Sequence, residues 1–368
     1  MSIFSPKHIS PIGIHFDGDL VSAIQLSGPP HDRKVVAAAR ATLPLGDDGS
    51  LDSDAAGETF GRLFGDHAFK GRHAVTALGP TELFIQNVRL PDIPRVEWPA
   101  ALRSESSERL PFPAEEAEIR FLPAGEFRQD GETKQEVVLF ASHRPGLEQI
   151  VKLCQRAGAV LERVDTVPTA VLRAQYDPTG ESDGRWATID FGRGGATVAF
   201  AKGDHVLFAK FLPCSGQELD DAVAAAMNLS APEARTMRET VTEAEQLDPS
   251  DDLHRTVIGA IRKPLERLAN EVELCLRYFK VAFRGKPVDM MTVAGSEASP
   301  WLTEYLGTRL GLDCRIAEPF ATQHVTHRLR SGRPANWTAA IGLALAEPLT
   351  DDARAETFVA EPRELVEA

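Results

Sequence analysis

Two distant segments of the chain share one pattern, and this duplication limits the fold more than any other feature. Residues 12–26 read IGIHFDGDLVSAIQL, and residues 187–201 read ATIDFGRGGATVAFA. Each segment combines an apolar strand, a tight turn of Gly and Asp residues and a second strand, which predicts a β-hairpin. A repeat half a chain apart is too widely spaced for a solenoid and fits a duplicated domain. The sequence therefore predicts two domains of similar design, each beginning with a hairpin.

Charge and hydropathy exclude several classes of protein. The 368 residues include 40 basic and 54 acidic side chains, which gives a formal net charge of −14. A nucleic-acid-binding protein needs clustered Lys and Arg side chains for its phosphate contacts, and the sequence has no such cluster. No apolar run approaches the roughly 20 residues of a membrane-spanning helix, and residues 1–18 lack the layout of a signal peptide. We therefore expect a cytoplasmic protein without a membrane span that binds no nucleic acid.

Helical patterns follow both hairpins, so the sequence predicts a mixed α/β protein rather than regular βαβ winding. The expected first domain covers residues 1–186 and contains an inserted subdomain at about 91–145, where prolines bracket a short helix. The expected second domain covers 187–347 and contains a helical subdomain at about 216–287. The acidic residues 348–368 lack any periodicity, which predicts a mobile tail.

A glycine-rich turn in the second hairpin, GRGG at 192–195, suggests a loop that binds phosphate. Glycines let backbone N–H groups converge on an anion without obstruction by Cβ atoms. A Rossmann fingerprint would require a helix directly after this turn, whereas the strand ATVAFAKG follows. Taken alone, the turn could equally be a plain structural feature, but the matching hairpin at 12–26 disfavours that interpretation. The pattern suits two hairpins that close on the phosphates of a nucleotide from opposite domains.

Several motifs, in order along the chain, resemble the PilM family, whose members are actin-like proteins of type IV pilus assembly. The motifs are GIHFDGDLVSAIQL at 13–26, RLP at 89–91, PFP at 111–113, AGAVLERVDTVPTAVLRA at 157–174, IDFG at 189–192, VAGSEA at 293–298 and WTAAIGLALA at 337–346. The resemblance covers nearly the whole chain, and it extends more weakly to FtsA and to the L proteins of type II secretion. It implies an α/β protein with the actin-like ATPase fold, in which two RNase H-like domains surround a nucleotide cleft.

The resemblance also implies which residues face the nucleotide. They are His15, Asp17, Gly18, Asp190, Gly192, Arg193, Gly194, Gly195, Glu271, Gly295 and Ser296. The chain departs from the family at several of these positions. His15 stands where the family has an aspartate that holds Mg²⁺ through water, and Asp17 stands where the family has a glycine. These departures imply that ATP and Mg²⁺ bind weakly or not at all, and no catalytic residue or metal ligand is predicted.

The function that the resemblance implies is a cytoplasmic scaffold at the inner membrane. It would bind the N-terminal peptide of a PilN-like bitopic membrane protein, in a groove between the first core and the insertion at 91–145, and connect the complex to pilus motor ATPases. One alternative is an active actin-like ATPase or kinase, which the histidine at position 15 disfavours because such enzymes need carboxylates that hold Mg²⁺. Another is an FtsA-like division protein, but the tail ETFVAEPRELVEA is a poor membrane-binding helix.

Overall fold

The computed structural model of the chain describes residues 9–46, 53–129, 132–176, 184–243, 248, 250–283, 288–327, 329 and 332–346. The described strands are β1 Ile12–Asp17, β2 Leu20–Ser27, β3 Arg33–Thr42, β4 His73–Leu78, β5 Leu83–Pro91, β6 Ala117–Gln129, β7 Glu132–His143, β8 Val160–Thr166, β9 Arg185–Phe191, β10 Ala196–Lys202, β11 His205–Leu212, β12 Met290–Ala294, β13 Cys314–Ile316 and β14 Val325–Thr326. The described α-helices are α1 Ser53–Asp66, α2 Trp98–Ser106, α3 Arg144–Arg156, α4 Val167–Gln175, α5 Gly216–Met227, α6 Ala231–Thr242, α7 Asp252–Ala282, α8 Pro300–Leu310, α9 Pro319–Thr322 and α10 Thr338–Ala344. Short 3₁₀ helices lie at Arg95–Glu97, Ala114–Glu116 and Pro334–Trp337.

Two of the sheets have the same design. The first has the strand order β14-β3-β2-β1-β4-β8, and the second has the order β11-β10-β9-β12-β13. In each sheet an antiparallel hairpin opens the domain, a third antiparallel strand joins it on one side, and two parallel strands join on the other. The duplication predicted from the two hairpin segments is therefore confirmed at the level of strand order.

The end of the described chain returns to the first sheet. Strand β14 pairs in parallel with β3, and helix α10 packs on α4 and on β1. Helix α4 also contacts β9 and β10, so the α4–α10 pair connects the two sheets. The domain bounds 1–186 and 187–347 stay a prediction, but the residues of β14 and α10 belong by their contacts to the first sheet.

The contact between α4 and α10 depends on a glycine, which leads to a stability prediction. A Cβ atom added to Gly342 would lie 1.8 Å from the carbonyl oxygen of Ala170, and both helix backbones would have to separate. We expect Gly342→Ala to lower the free energy of unfolding by about 3 kcal/mol, the upper range for overpacking. Gly259→Ala in α7 is the control, because no atom lies within 4 Å of its added Cβ. Urea denaturation should show that this control stabilises the protein by about 0.5–1 kcal/mol, and similar effects of both variants would contradict the prediction.

The third sheet lies between β4 and α3 along the chain and has the order β5-β7-β6. Helix α2 packs on this sheet, and its Trp98 and Leu102 belong to one hydrophobic cluster with Val137 and Leu139 of β7. Strand β11 of the second domain contacts all three strands. The sheet begins at Leu83, before the start that the sequence predicts for the insertion at 91–145.

Helices α5, α6 and α7 lie within the predicted helical subdomain at 216–287, of which residues 244–247, 249 and 284–287 lie outside the described residues. The predicted tail at 348–368 also lies outside them. Within the described part of the chain, no helix combines the length and the apolar composition that crossing a bilayer would require.

Candidate functional site

The turns of the two duplicated hairpins touch each other. Gly18, in the β1–β2 turn, has a φ of +62° and lies against the backbone of Gly194 in the β9–β10 turn. A Cβ atom added to Gly194 would lie 2.6 Å from the backbone nitrogen of Gly18. The backbones of the two hairpin tips are therefore in direct contact. A larger side chain at Gly18 or Gly194 would prevent this contact.

The carboxylate of Asp17 lies directly on the glycine-rich turn. The N–H of Gly194 donates to Asp17 Oδ1 at 2.8 Å, and the hydroxyl of Ser296 donates to Asp17 Oδ2 at 2.6 Å. The backbone N–H of Arg193 donates in turn to Ser296 Oγ at 3.1 Å. A Cβ atom added to Gly192 would lie 2.3 Å from Asp17 Oδ1. The carboxylate thus fills the space above the glycines and uses donors that point into it.

A chain of buried charges extends from the hairpin tips into the helical subdomain. We call it the charge chain, and it consists of Asp19, Arg193, Asp220, Arg238 and Glu297. The Arg193 guanidinium donates to Asp19 of the first hairpin and, at 2.5 Å, to Asp220 Oδ2 of α5. The Arg238 guanidinium donates to Asp220 Oδ1 at 2.6 Å and to Glu297 Oε2 at 2.5 Å. Acidic and basic side chains alternate along the charge chain, so each buried charge has a neighbour of opposite charge.

Arg238 remains charged in this environment. Burial by itself lowers the pKa of its guanidinium, but the neighbouring Glu297 and Asp220 outweigh burial and raise that pKa above its usual value. The side chain of Arg238 is only 2% exposed. Arg235 of α6 adds further positive charge, with its Nη1 3.7 Å from Asp19 Oδ2. The charge chain therefore links the first hairpin, the second hairpin and helices α5 and α6 by buried ion pairs.

A small polar cavity lies beside the carboxylate of Asp17 and has about the volume of one water molecule. Its lining includes His15, Asp17, Ser22, Arg40, Asp190, Gly295, Ser296 and Asn336. Asp190 Oδ1 is buried and has no hydrogen-bond partner among the described residues. Burial, and secondly the charge of Asp17, raise the pKa of Asp190 to about 7. Burial also lowers the pKa of His15, which Asp17 only partly opposes, so the imidazole is neutral at pH 7.

The structure brings together nearly all of the residues that the sequence predicted for this site. Those at the tips or around the cavity are His15, Asp17, Gly18, Asp190, Gly192, Arg193, Gly194, Gly295 and Ser296. Gly195 belongs to the same turn and packs against Pro80. Glu271 is the exception, because its carboxylate accepts a hydrogen bond from Lys210 Nζ of β11 at 2.8 Å instead. Its predicted place beside a nucleoside stays a prediction.

Of the charge chain, the sequence predicted only Arg193 as a site residue, and it did not predict Asp19, Asp220, Arg238 and Glu297. Asp220 and Arg238 carry a recognisable signal, because each lies within the apolar face of an amphipathic helix. Arg238 is four residues after Ala234 and three before Val241, both of which are buried. Asp220 is likewise four residues after the buried Gly216 and three residues before the buried Val223. A charged residue in the middle of an apolar helix face indicates a buried partner of opposite charge.

The positions of Asp17 and Asp190 bear on whether the nucleotide and Mg²⁺ that the resemblance implies would fit at the glycine turn. In this arrangement Asp17 uses the loop donors and fills the space above Gly192, so a phosphate group does not fit on the turn. Asp190, the other carboxylate nearby, faces Asp17 without any partner for its Oδ1. Within the described residues, no three His, Cys, Asp or Glu side chains are grouped so that they could hold a metal ion.

A family comparison covers almost the entire chain. The family model of the type IV pilus assembly protein PilM matches residues 13–347. A search of curated proteins gives no significant match.

Similar solved structures share the fold of this chain. One is the PilM-PilN type IV pilus biogenesis complex, with a TM-score of 0.75, 22% identity and coverage of 91% of this chain and 98% of the other. Another is the ethanolamine utilization protein EutJ from Carboxydothermus hydrogenoformans, with a TM-score of 0.55, 15% identity and coverage of 93% and 90%. A third is a Bacteroides thetaiotaomicron protein with an actin-like ATPase fold and unknown function, with a TM-score of 0.47, 9% identity and coverage of 94% and 100%. The predicted actin-like fold, with two RNase H-like halves, is confirmed by the first two of these likenesses and by the duplicated strand order.

Proposed function

Because this chain belongs to the family of the type IV pilus assembly protein PilM, we propose that it is a cytoplasmic scaffold of an inner-membrane assembly complex, in a pilus or a related secretion system. Its partner is the N-terminal peptide of a PilN-like bitopic membrane protein, through which it is held at the membrane. Pilus motor ATPases are its further partners. The observation that carries the proposal is the similarity to the PilM-PilN complex, which extends over 98% of the matched chain.

Strand β8 is an edge strand of the described structure that suits an extended peptide. Strand β8 is the last strand of the first sheet and pairs only with β4 in the described structure. Its first residue, Val160, is 54% exposed, and Leu161 and Val164 are half-buried. An extended peptide can add to such an edge through backbone hydrogen bonds while its alternate side chains enter apolar pockets. We therefore place the peptide along β8.

The scaffold role needs no catalysis, and we propose that the nucleotide site is degenerate, with little or no ATPase activity. The position of Asp17 supports this, since its carboxylate lies where a phosphate would have to approach the glycine turn. An active actin-like ATPase or kinase-like enzyme is the alternative. It would need the opposite arrangement, with the turn open to phosphate and carboxylates placed to hold Mg²⁺.

A peptide-binding measurement tests the proposal. The peptide is copied from the cytoplasmic N-terminus of a small bitopic membrane protein encoded beside this chain, and calorimetry follows its binding with and without Mg-ATP. We expect binding that does not depend on Mg-ATP, and we expect Val160→Asp to weaken it at least about tenfold, or about 1.4 kcal/mol. The exposed Val281→Asp in α7 is the matched control and should bind like the wild type.

Three results would contradict the proposal. The first is that the peptide does not bind under any nucleotide condition. The second is that both valine variants weaken peptide binding equally, and the third is that the purified protein hydrolyses ATP rapidly. The first would remove the scaffold function, the second the placement on β8, and the third the degenerate site.

A further inference from the structure

We propose that the carboxylate of Asp17 is a built-in anionic ligand of the glycine turn at 192–195, which holds the two hairpin tips together without a nucleotide. The inference rests on the degenerate nucleotide site proposed above and explains how the cleft remains closed. Only residues of this chain take part in the proposed contact between the hairpin tips.

The first support is the way in which the donors converge. Gly194 N–H and the Ser296 hydroxyl each donate to a different oxygen of Asp17, at 2.8 Å and 2.6 Å. Ser296 Oγ is fixed from behind by the N–H of Arg193. Hydrogen bonds to a carboxylate are roughly twice as strong as those between neutral groups, and glycine-rich turns with converging N–H groups are typical anion sites. The turn therefore already has an anion, and that anion is part of the protein.

The second support is steric. A Cβ atom added to Gly192 would lie 2.3 Å from Asp17 Oδ1 and 2.8 Å from Asp17 Oδ2. Both carboxylate oxygens thus occupy the space that the missing side chain of this glycine leaves open. A phosphate could reach the same N–H groups only if the Asp17 side chain moved away.

The third support is that the first hairpin binds the second turn at two points. Asp17 accepts from the backbone of the turn, while Asp19, two residues later, pairs with the buried guanidinium of Arg193. Both side chains of the Arg193–Asp19 pair are 9% exposed. Closure of the tips therefore rests on protein carboxylates at both points, and a bound nucleotide is not required.

Hydrogen exchange of the Gly194 amide tests the inference, with inorganic phosphate and Mg-ADP as the probes. In the wild type we expect a protected amide whose exchange neither probe changes. In Asp17→Gly we expect at least tenfold faster exchange, and we expect millimolar inorganic phosphate to slow it again by occupying the vacated donors. Asp17→Ala also removes the carboxylate and vacates the space above Gly192, and it should change in the same direction. Asp32→Ala removes an exposed aspartate of the same domain and should match the wild type.

The inference is overturned if the Gly194 amide exchanges equally fast in the wild type and in Asp17→Gly. It is also overturned if phosphate fails to slow exchange in both Asp17 variants. Asp17→Ala decides the question if Asp17→Gly does not fold. Peptide binding by the wild type is measured separately, so a failure of the scaffold proposal can be distinguished from a failure of this one.

Discussion

Replacing Arg238 with alanine is expected to lower the free energy of unfolding by about 3–5 kcal/mol, the usual effect of removing one partner from a buried ion pair. Arg238 is 2% exposed, and its guanidinium binds the fully buried Asp220 and also Glu297, whose side chain is 9% exposed. Without the guanidinium, Asp220 keeps only Arg193, and Glu297 loses the partner shown for both of its oxygens. Much of the loss is therefore the free energy of leaving a carboxylate buried without a counter-charge.

Urea denaturation of the wild type and Arg238→Ala at pH 7 measures this difference. Arg262→Ala is the matched control, because Arg262 makes an ion pair at 2.8 Å with Glu266, but both side chains are exposed. Exposed pairs of this kind in a helix contribute only about 0.3–0.5 kcal/mol. If the two arginine variants lowered stability equally, the charge chain would have no special role in holding the helices to the hairpins.

Much of the fold could be predicted because its determinants are local. Each hairpin is encoded within fifteen consecutive residues, and the Ser215 and Ser230 caps are encoded within four. Ser215 Oγ accepts from the N–H of Glu218 at 3.1 Å, and Ser230 with Glu233 forms a capping box. Such signals depend on neighbours in sequence, so they survive in any tertiary context that keeps the helix or strand.

The charge chain could not be predicted in the same way, because its partners meet only after the two domains have folded. Asp19 and Arg193 are 174 residues apart in sequence. Arg193 was predicted as part of a phosphate turn, and the structure turns its side chain towards two carboxylates instead. The same limitation affects Glu271, whose partner Lys210 lies 61 residues away on another element. Residue type and spacing identified the hairpin tips, but they could not show which side chains satisfy one another there.

The second large effect is expected at Asp190, where stability should depend on pH. Burial and the charge of Asp17 raise the pKa of Asp190 to about 7 in the folded protein, from an ordinary value of 3.8. Below pH 4 the side chain is protonated in both the folded and the unfolded chain, so it contributes no difference. Between pH 4 and 7 the unfolded chain releases the proton while the folded chain keeps it, and stability falls as the pH rises. Above pH 7 the accumulated loss is on the order of 4 kcal/mol.

Asp190→Asn removes this titration while keeping the size of the side chain, so it should raise the stability of the protein at pH 8 more than at pH 5. The measurement compares free energies of unfolding of wild type and variant in urea at both pH values. Asp54→Asn is the control, since this aspartate is exposed and pairs with Arg156 rather than with a histidine, and its effect on stability should be the same at both pH values. If Asp190→Asn changed the free energy of unfolding by the same amount at pH 5 and at pH 8, that result would contradict the raised pKa of Asp190. It would mean that the cavity around Asp190 already compensates the charge of the carboxylate, for which Arg40 of the lining is the candidate.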